Sequence, residues 1–175
     1  MRLIKYILVF GVILLGFAFV QANKTRNFQY KAPANFLIES NYFPSFYPTT
    51  YNYTGADKIT VLIPPEVRST VGAPKTKTGE LDKKFIQGKL NFNQQFGIKD
   101  WMMSHYNFTQ TPHGERLEIK GSYLSFSGIK TEFVEHHYFS KTVMQSIHLF
   151  YPAVATSKVV EQAKLSLQTF NPNIN

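Results

Sequence analysis

Apolar and polar positions change period along this chain, and the changes mark its elements. Phe28 and Tyr30 alternate with Gln29 and Lys31, the twofold period of a short strand, and Pro33 ends it. Lys58 to Ile63 reads as a second strand, stopped by Pro64-Pro65. From Leu81 the period lengthens. Leu81, Phe85, Gly88, Phe92 and Phe96 recur at helical spacing, which predicts a helix over 80–97 with Thr78 as N-cap and Gly97 as stop. Alternation returns over Ile98–Phe108, Arg116–Phe126, Thr131–Phe139 and Val143–Tyr151. These strands form a meander with turns at Thr111–Gly114, Ser127-Gly128 and Lys141-Thr142. Pro152 ends the sheet. Val160, Ala163, Leu167 and Phe170 then place a last helix over 157–170, closed by Asn171-Pro172. The fold class is α+β: a largely antiparallel sheet, ending in a meander of three to four strands, covered by two helices.

Two-residue turns at Ser127-Gly128 and Lys141-Thr142 would fix which residues face one another. Glu135 then faces Lys120 and His148, and His137 faces Glu118 and Ser146. Because side chains alternate along strands, Glu118, Lys120, Ser122, Glu135, His137, Ser146 and His148 share one face. Leu117, Ile119, Tyr123, Val134, His136, Tyr138, Val143, Ile147 and Leu149 share the other, which reads as core. Two imidazoles and two carboxylates on adjacent strands are nitrogen and oxygen donors of the kind zinc takes. Glu135, His137 and His148 are therefore the candidate metal ligands, set against a solvated sheet face with ion pairs such as Lys120–Glu135. A H-E-x-x-H helix, a phosphate loop and a G-x-S-x-G elbow are all missing from the sequence. No catalytic residue and no cofactor-binding residue is assigned, and no cofactor is expected.

Charge and composition narrow the setting. Arg2 and Lys5 precede an uncharged run from Tyr6 to Ala22, and Val20-Gln21-Ala22 has the form of a signal-peptidase site. Residues 1–22 are expected to be a signal peptide cleaved after Ala22, leaving residues 23–175 as a single domain of 153 residues, periplasmic or secreted. The whole chain carries a net charge of +8, which falls to +6 without Arg2 and Lys5. Its lysines are scattered rather than gathered for nucleic acid, so no nucleic-acid partner is expected. With no cysteine, thiol nucleophiles and thiolate metal sites are excluded.

Tyr42, Phe43, Phe46, Tyr47, Tyr51 and Tyr53 fall within a proline-containing stretch that excludes a helix. They are the candidate surface for a ligand or partner, against the alternative of a loop that buries its rings over the sheet.

The order of elements resembles the PsbP-like fold, named for an extrinsic protein of photosystem II and shared by exported bacterial proteins. The resemblance lies in Lys58-Ile59-Thr60-Val61-Leu62-Ile63-Pro64, the glycine–proline loop and helix after it, the strands from Gly121-Ser122-Tyr123 through Tyr151, and the last helix ending Leu167-Gln168-Thr169-Phe170. It covers most of residues 27–170 in topology and hydrophobic spacing. The resemblance implies a small accessory or binding domain without catalysis, and it brings no catalytic set. The leading expectation is an exported, non-enzymatic binding domain that contacts a protein or an envelope component. The alternatives are a small metal-dependent or general-base hydrolase using Glu135, His137 and His148, and a lipid or membrane-surface binder.

Overall fold

The computed structural model describes residues 28–39, 48–68 and 72–172. The expected signal segment and four of the six candidate aromatics, Tyr42, Phe43, Phe46 and Tyr47, lie outside them. Among the described residues the strands are β1 (Phe28–Gln29), β2 (Phe36–Glu39), β3 (Thr49–Tyr53), β4 (Thr60–Ile63), β5 (Val67–Arg68), β6 (Lys99–Thr111), β7 (Gly114–Leu124), β8 (Lys130–Phe139), β9 (Val143–Pro152) and β10 (Asn171–Pro172). Helix α1 spans Lys83–Gln95 and α2 spans Ser157–Leu167. The main sheet has the order β2-β3-β4-β9-β8-β7-β6, and β5 also pairs with β9. Every pairing is antiparallel. β1 and β10 form a small separate ladder.

The expected α+β class holds, and both helices cover the sheet. The helices lie on opposite faces. Val160, Ala163 and Leu167 of α2 pack with Val134, Tyr138, Ile147, Leu149 and Val61. Phe85 and Ile86 of α1 pack with Leu117, Ile119, Phe133 and Phe139. Both faces of the central strands are therefore apolar. β8 reads as a continuous buried run from Phe133 to Phe139 rather than a half-buried alternation.

Strand directions define two poles. β6 and β8 begin, and β7 and β9 end, at one of them, called here the upper pole. α1 runs toward this pole and is closed there by a Schellman motif. The Gly97 N–H donates to Gln94 O and the Ile98 N–H to Asn93 O, with Gly97 at φ +66°. Its start differs from the sequence reading: the Asp82 side chain, not Thr78, caps the first turn by accepting from the Lys84 N–H. Its buried face differs too. Phe85, Ile86 and Lys89 turn toward the sheet, Gly88 is exposed, and Phe92 and Phe96 stand out in solvent.

Candidate functional site

β8 and β9 pair with Glu135 opposite His148 and His137 opposite Ser146, as a two-residue turn at Lys141-Thr142 requires. The three candidate ligands meet on one face: one ligand atom from each lies within 4.8 Å of the others. His137 donates from Nε2 to Glu135 Oε2 at 2.8 Å. His148 Nε2 lies 2.9 Å from Ser146 Oγ, while its Nδ1 is 3.9 Å from Glu135 Oε1, too far for a hydrogen bond. The two rings are 5.2 Å apart, and Phe85 of α1 presents its edge to His137 at 6.0 Å.

The neighbours expected from β7 are not there. β7 pairs with β8 one residue out of the expected register: Ile119 faces Glu135, Leu117 faces His137, and Glu118 faces His136. The cause is the connecting loop. Ser125 N–H donates to Ile129 O and Gly128 N–H to Ser125 O, so three residues, Phe126-Ser127-Gly128, span the turn where two were expected. Gly128 at φ +73° supplies the left-handed position such a loop needs. A one-residue slip moves a whole strand face. Glu118 and Lys120 therefore belong to the α2 side, where Lys120 pairs with Glu118 at 2.8 Å and His136 Nε2 donates to Glu118 Oε2 at 2.9 Å. The expected Lys120–Glu135 pair does not form.

The partner of Glu135 is Lys89, an ammonium brought in from α1 and bonded to Oε2. The sequence reading missed it because the lysines were read only as scattered charge, and none was placed on the buried side of a helix. It stands four residues after Phe85, on that residue's side of the helix, but Phe92 at i+7 meets the same spacing and faces solvent, so the period alone did not single Lys89 out. The setting is not a solvated face. Glu135 is 5% exposed and His137 3%, under α1 among Phe133, Phe139 and Leu117.

Burial alone would raise the Glu135 carboxyl. The Lys89 ammonium and the imidazoles of His148 and His137 outweigh it and hold the group well below the usual carboxylate range. Burial pushes both imidazoles down, His148 to about 3. The cluster thus holds one ammonium, one carboxylate and two neutral rings. Neutral imidazoles and an ionised carboxylate are the protonation states a divalent ion requires, but an ion here would have to displace the Lys89 ammonium. Ser146, His148 and Glu135 also stand in the order nucleophile, base and acid. Ser146 is 4% exposed within the sheet, which leaves its hydroxyl no approach for a substrate.

The remaining candidates fall elsewhere. Tyr51 is buried against Tyr30, and Tyr53 packs on Phe36, so both rings turn into the fold rather than toward a partner. Trp101 stacks on Phe133 at 5.7 Å. A cavity of about 510 Å³ opens between the end of α1 and the start of β6, lined by Leu90, Ile98, Lys99 and Trp101 among others and by none of the three candidate ligands.

No protein-family model and no curated protein matches the chain. Solved structures do match. The chain has a PsbP-like fold: cyanobacterial PsbP (CyanoP) from Synechocystis sp. PCC 6803 superposes with a TM-score of 0.55 at 9% identity, over 83% of this chain and 86% of that one. LpqN, involved in cell envelope biogenesis of Mycobacterium tuberculosis, superposes with a TM-score of 0.53 at 12% identity, over 82% of each chain. Identities this low establish shared architecture only.

Proposed function

We propose that this protein is an exported accessory domain that binds a component of the cell envelope and performs no catalysis. The observation that carries this reading is the state of its polar cluster. Glu135 is already paired with Lys89 and buried beneath α1, so the best chemical constellation in the described chain has its carboxylate engaged rather than presented to a substrate. The signal-like order of residues 1–22 supports export. LpqN, with its part in envelope biogenesis, is a precedent for this architecture in an envelope setting. A second reading has its own observation. The donor atoms of Glu135, His137 and His148 are close enough to hold a zinc-like ion if Lys89 swings out.

Fractionation of host cells, with N-terminal sequencing and metal analysis of the recovered protein, tests both. The first reading expects an extracytoplasmic protein beginning at Asn23 without stoichiometric metal. Recovery from the cytosol would overturn export. A hydrolase activity lost in Glu135→Gln would overturn the non-catalytic role. One bound divalent ion, lost in His148→Ala, would establish the second reading.

A further inference from the structure

We propose that the upper pole docks on an anionic lipid bilayer, an inference that rests on the envelope role proposed above. Among the connections at this pole are four turns: β3–β4, α1–β6, β7–β8 and β9–α2. They meet because the antiparallel order brings the ends of β3, β7 and β9 together with the starts of β4, β6 and β8. Three of the four display large apolar side chains to solvent. Phe92 and Phe96, near and at the end of α1, are 58% and 55% exposed, with ring centroids 4.7 Å apart. Phe126 at the tip of the β7–β8 loop is 82% exposed and lies over Gly97, where an added Cβ would come within 2.4 Å of its ring. Ile129 follows it. Val154 in the β9–α2 turn is 90% exposed, and the neighbouring Ala153 N–H donates to Lys130 O, which ties that turn to the base of the hairpin.

Monomeric proteins rarely gather exposed apolar groups in one place unless something covers them. The charges around these tips indicate what does. Residues 53–59, 96–101, 125–130 and 152–158 contain Lys58, Lys99, Lys130 and Lys158, all exposed, against only Asp57 and Asp100. Asp57 is also engaged, its Oδ2 accepting the Thr156 N–H at 3.0 Å. Apolar tips from separate loops at one end of a molecule, among lysines in excess, match an anionic bilayer. The rings enter the headgroup–acyl boundary and the ammoniums stay with the phosphates.

The absence of cysteine makes the test direct. Full-length Phe126→Cys and, at the exposed β8–β9 turn of the opposite pole, Lys141→Cys would each carry one environment-sensitive fluorophore. They would be mixed with phosphatidylcholine vesicles with and without phosphatidylglycerol. The label at 126 should shift to the blue with the anionic vesicles only, and the label at 141 should not respond. Adding Phe96→Ser should weaken vesicle affinity roughly tenfold. Adding Lys130→Gln should weaken it roughly fivefold. Three results would overturn the proposal: a silent label at 126, equal responses at the two poles, or an equal response to uncharged vesicles. A shift at 126 that depends on protein concentration without vesicles would assign the surface to a second copy instead. Insertion of the apolar N-terminal run alone would leave the label at 126 silent. None of these outcomes bears on the envelope role itself, which fractionation decides.

Discussion

Removing the Lys89 ammonium would leave Glu135 ionised in an apolar setting. Breaking a buried ion pair from one side costs several kcal/mol, whereas replacing both partners can be nearly neutral. Lys89→Met should therefore destabilise the protein by about 3 kcal/mol, and Lys89→Met with Glu135→Gln should recover most of that loss. Urea unfolding of the two variants checks this; equal losses would mean that the pair carries no coupling. The same residues set the response to acid. Burial is the main cause that pushes His136, His137 and His148 below their ordinary 6.5, His148 to about 3. Glu118 is lowered to about 2, chiefly by the hydrogen bond from His136. Each folded-state value lies below its unfolded one, so the unfolded chain binds more protons and stability rises with pH. The histidine contribution is complete above about 6.5 and is lost as pH falls from there, and the Glu118 contribution follows below about 4.5. The urea midpoint should fall between about pH 7 and about pH 4, less steeply in His148→Gln. A flat profile would contradict the buried neutral state of these rings.

Loop length decides which face each strand residue takes. The Lys141-Thr142 turn has two residues, so the β8–β9 register and the meeting of Glu135, His137 and His148 were legible from spacing. The β7–β8 loop has three, and the extra residue exchanges every β7 side chain between faces. Gly128→Val should cost about 1–2 kcal/mol, because a β-branched residue resists its left-handed φ. An unchanged melting temperature would argue against that loop. β6 hid its pattern for a related reason. Trp101 and Met103 share the α1 side with Tyr106 and Phe108, although odd and even positions should face opposite ways. The register shift between Met103 and His105 reconciles them.

At the scale of the molecule, one sheet separates two cores. Leu167 on the inner side of α2 and Leu117 of β7, beneath α1, are both fully buried, on opposite faces of the sheet. Leu→Ala at either should cost about 2–5 kcal/mol, and the double variant should equal the sum to within about 0.5 kcal/mol. Strong coupling measured by denaturant unfolding would show that the faces are not independent. Covering both faces also explains why histidines and a glutamate on a strand are buried at all: α1 closes over them and supplies their counter-charge.

The sequence by itself determined the elements that depend on local period and turn chemistry: both helices, the four strands of the meander, and the α+β class. It also determined the convergence of Glu135, His137 and His148, because one short turn specifies their register. Only the tertiary structure decided the rest. Helical spacing names a stripe but not its rotation against a sheet, so it could not tell that Lys89 turns inward and Phe92 outward. Alternation names two faces but not what covers them. Burial, the Lys89–Glu135 pair and the apolar pole all arise from contacts between segments distant in the chain, and no local pattern records those.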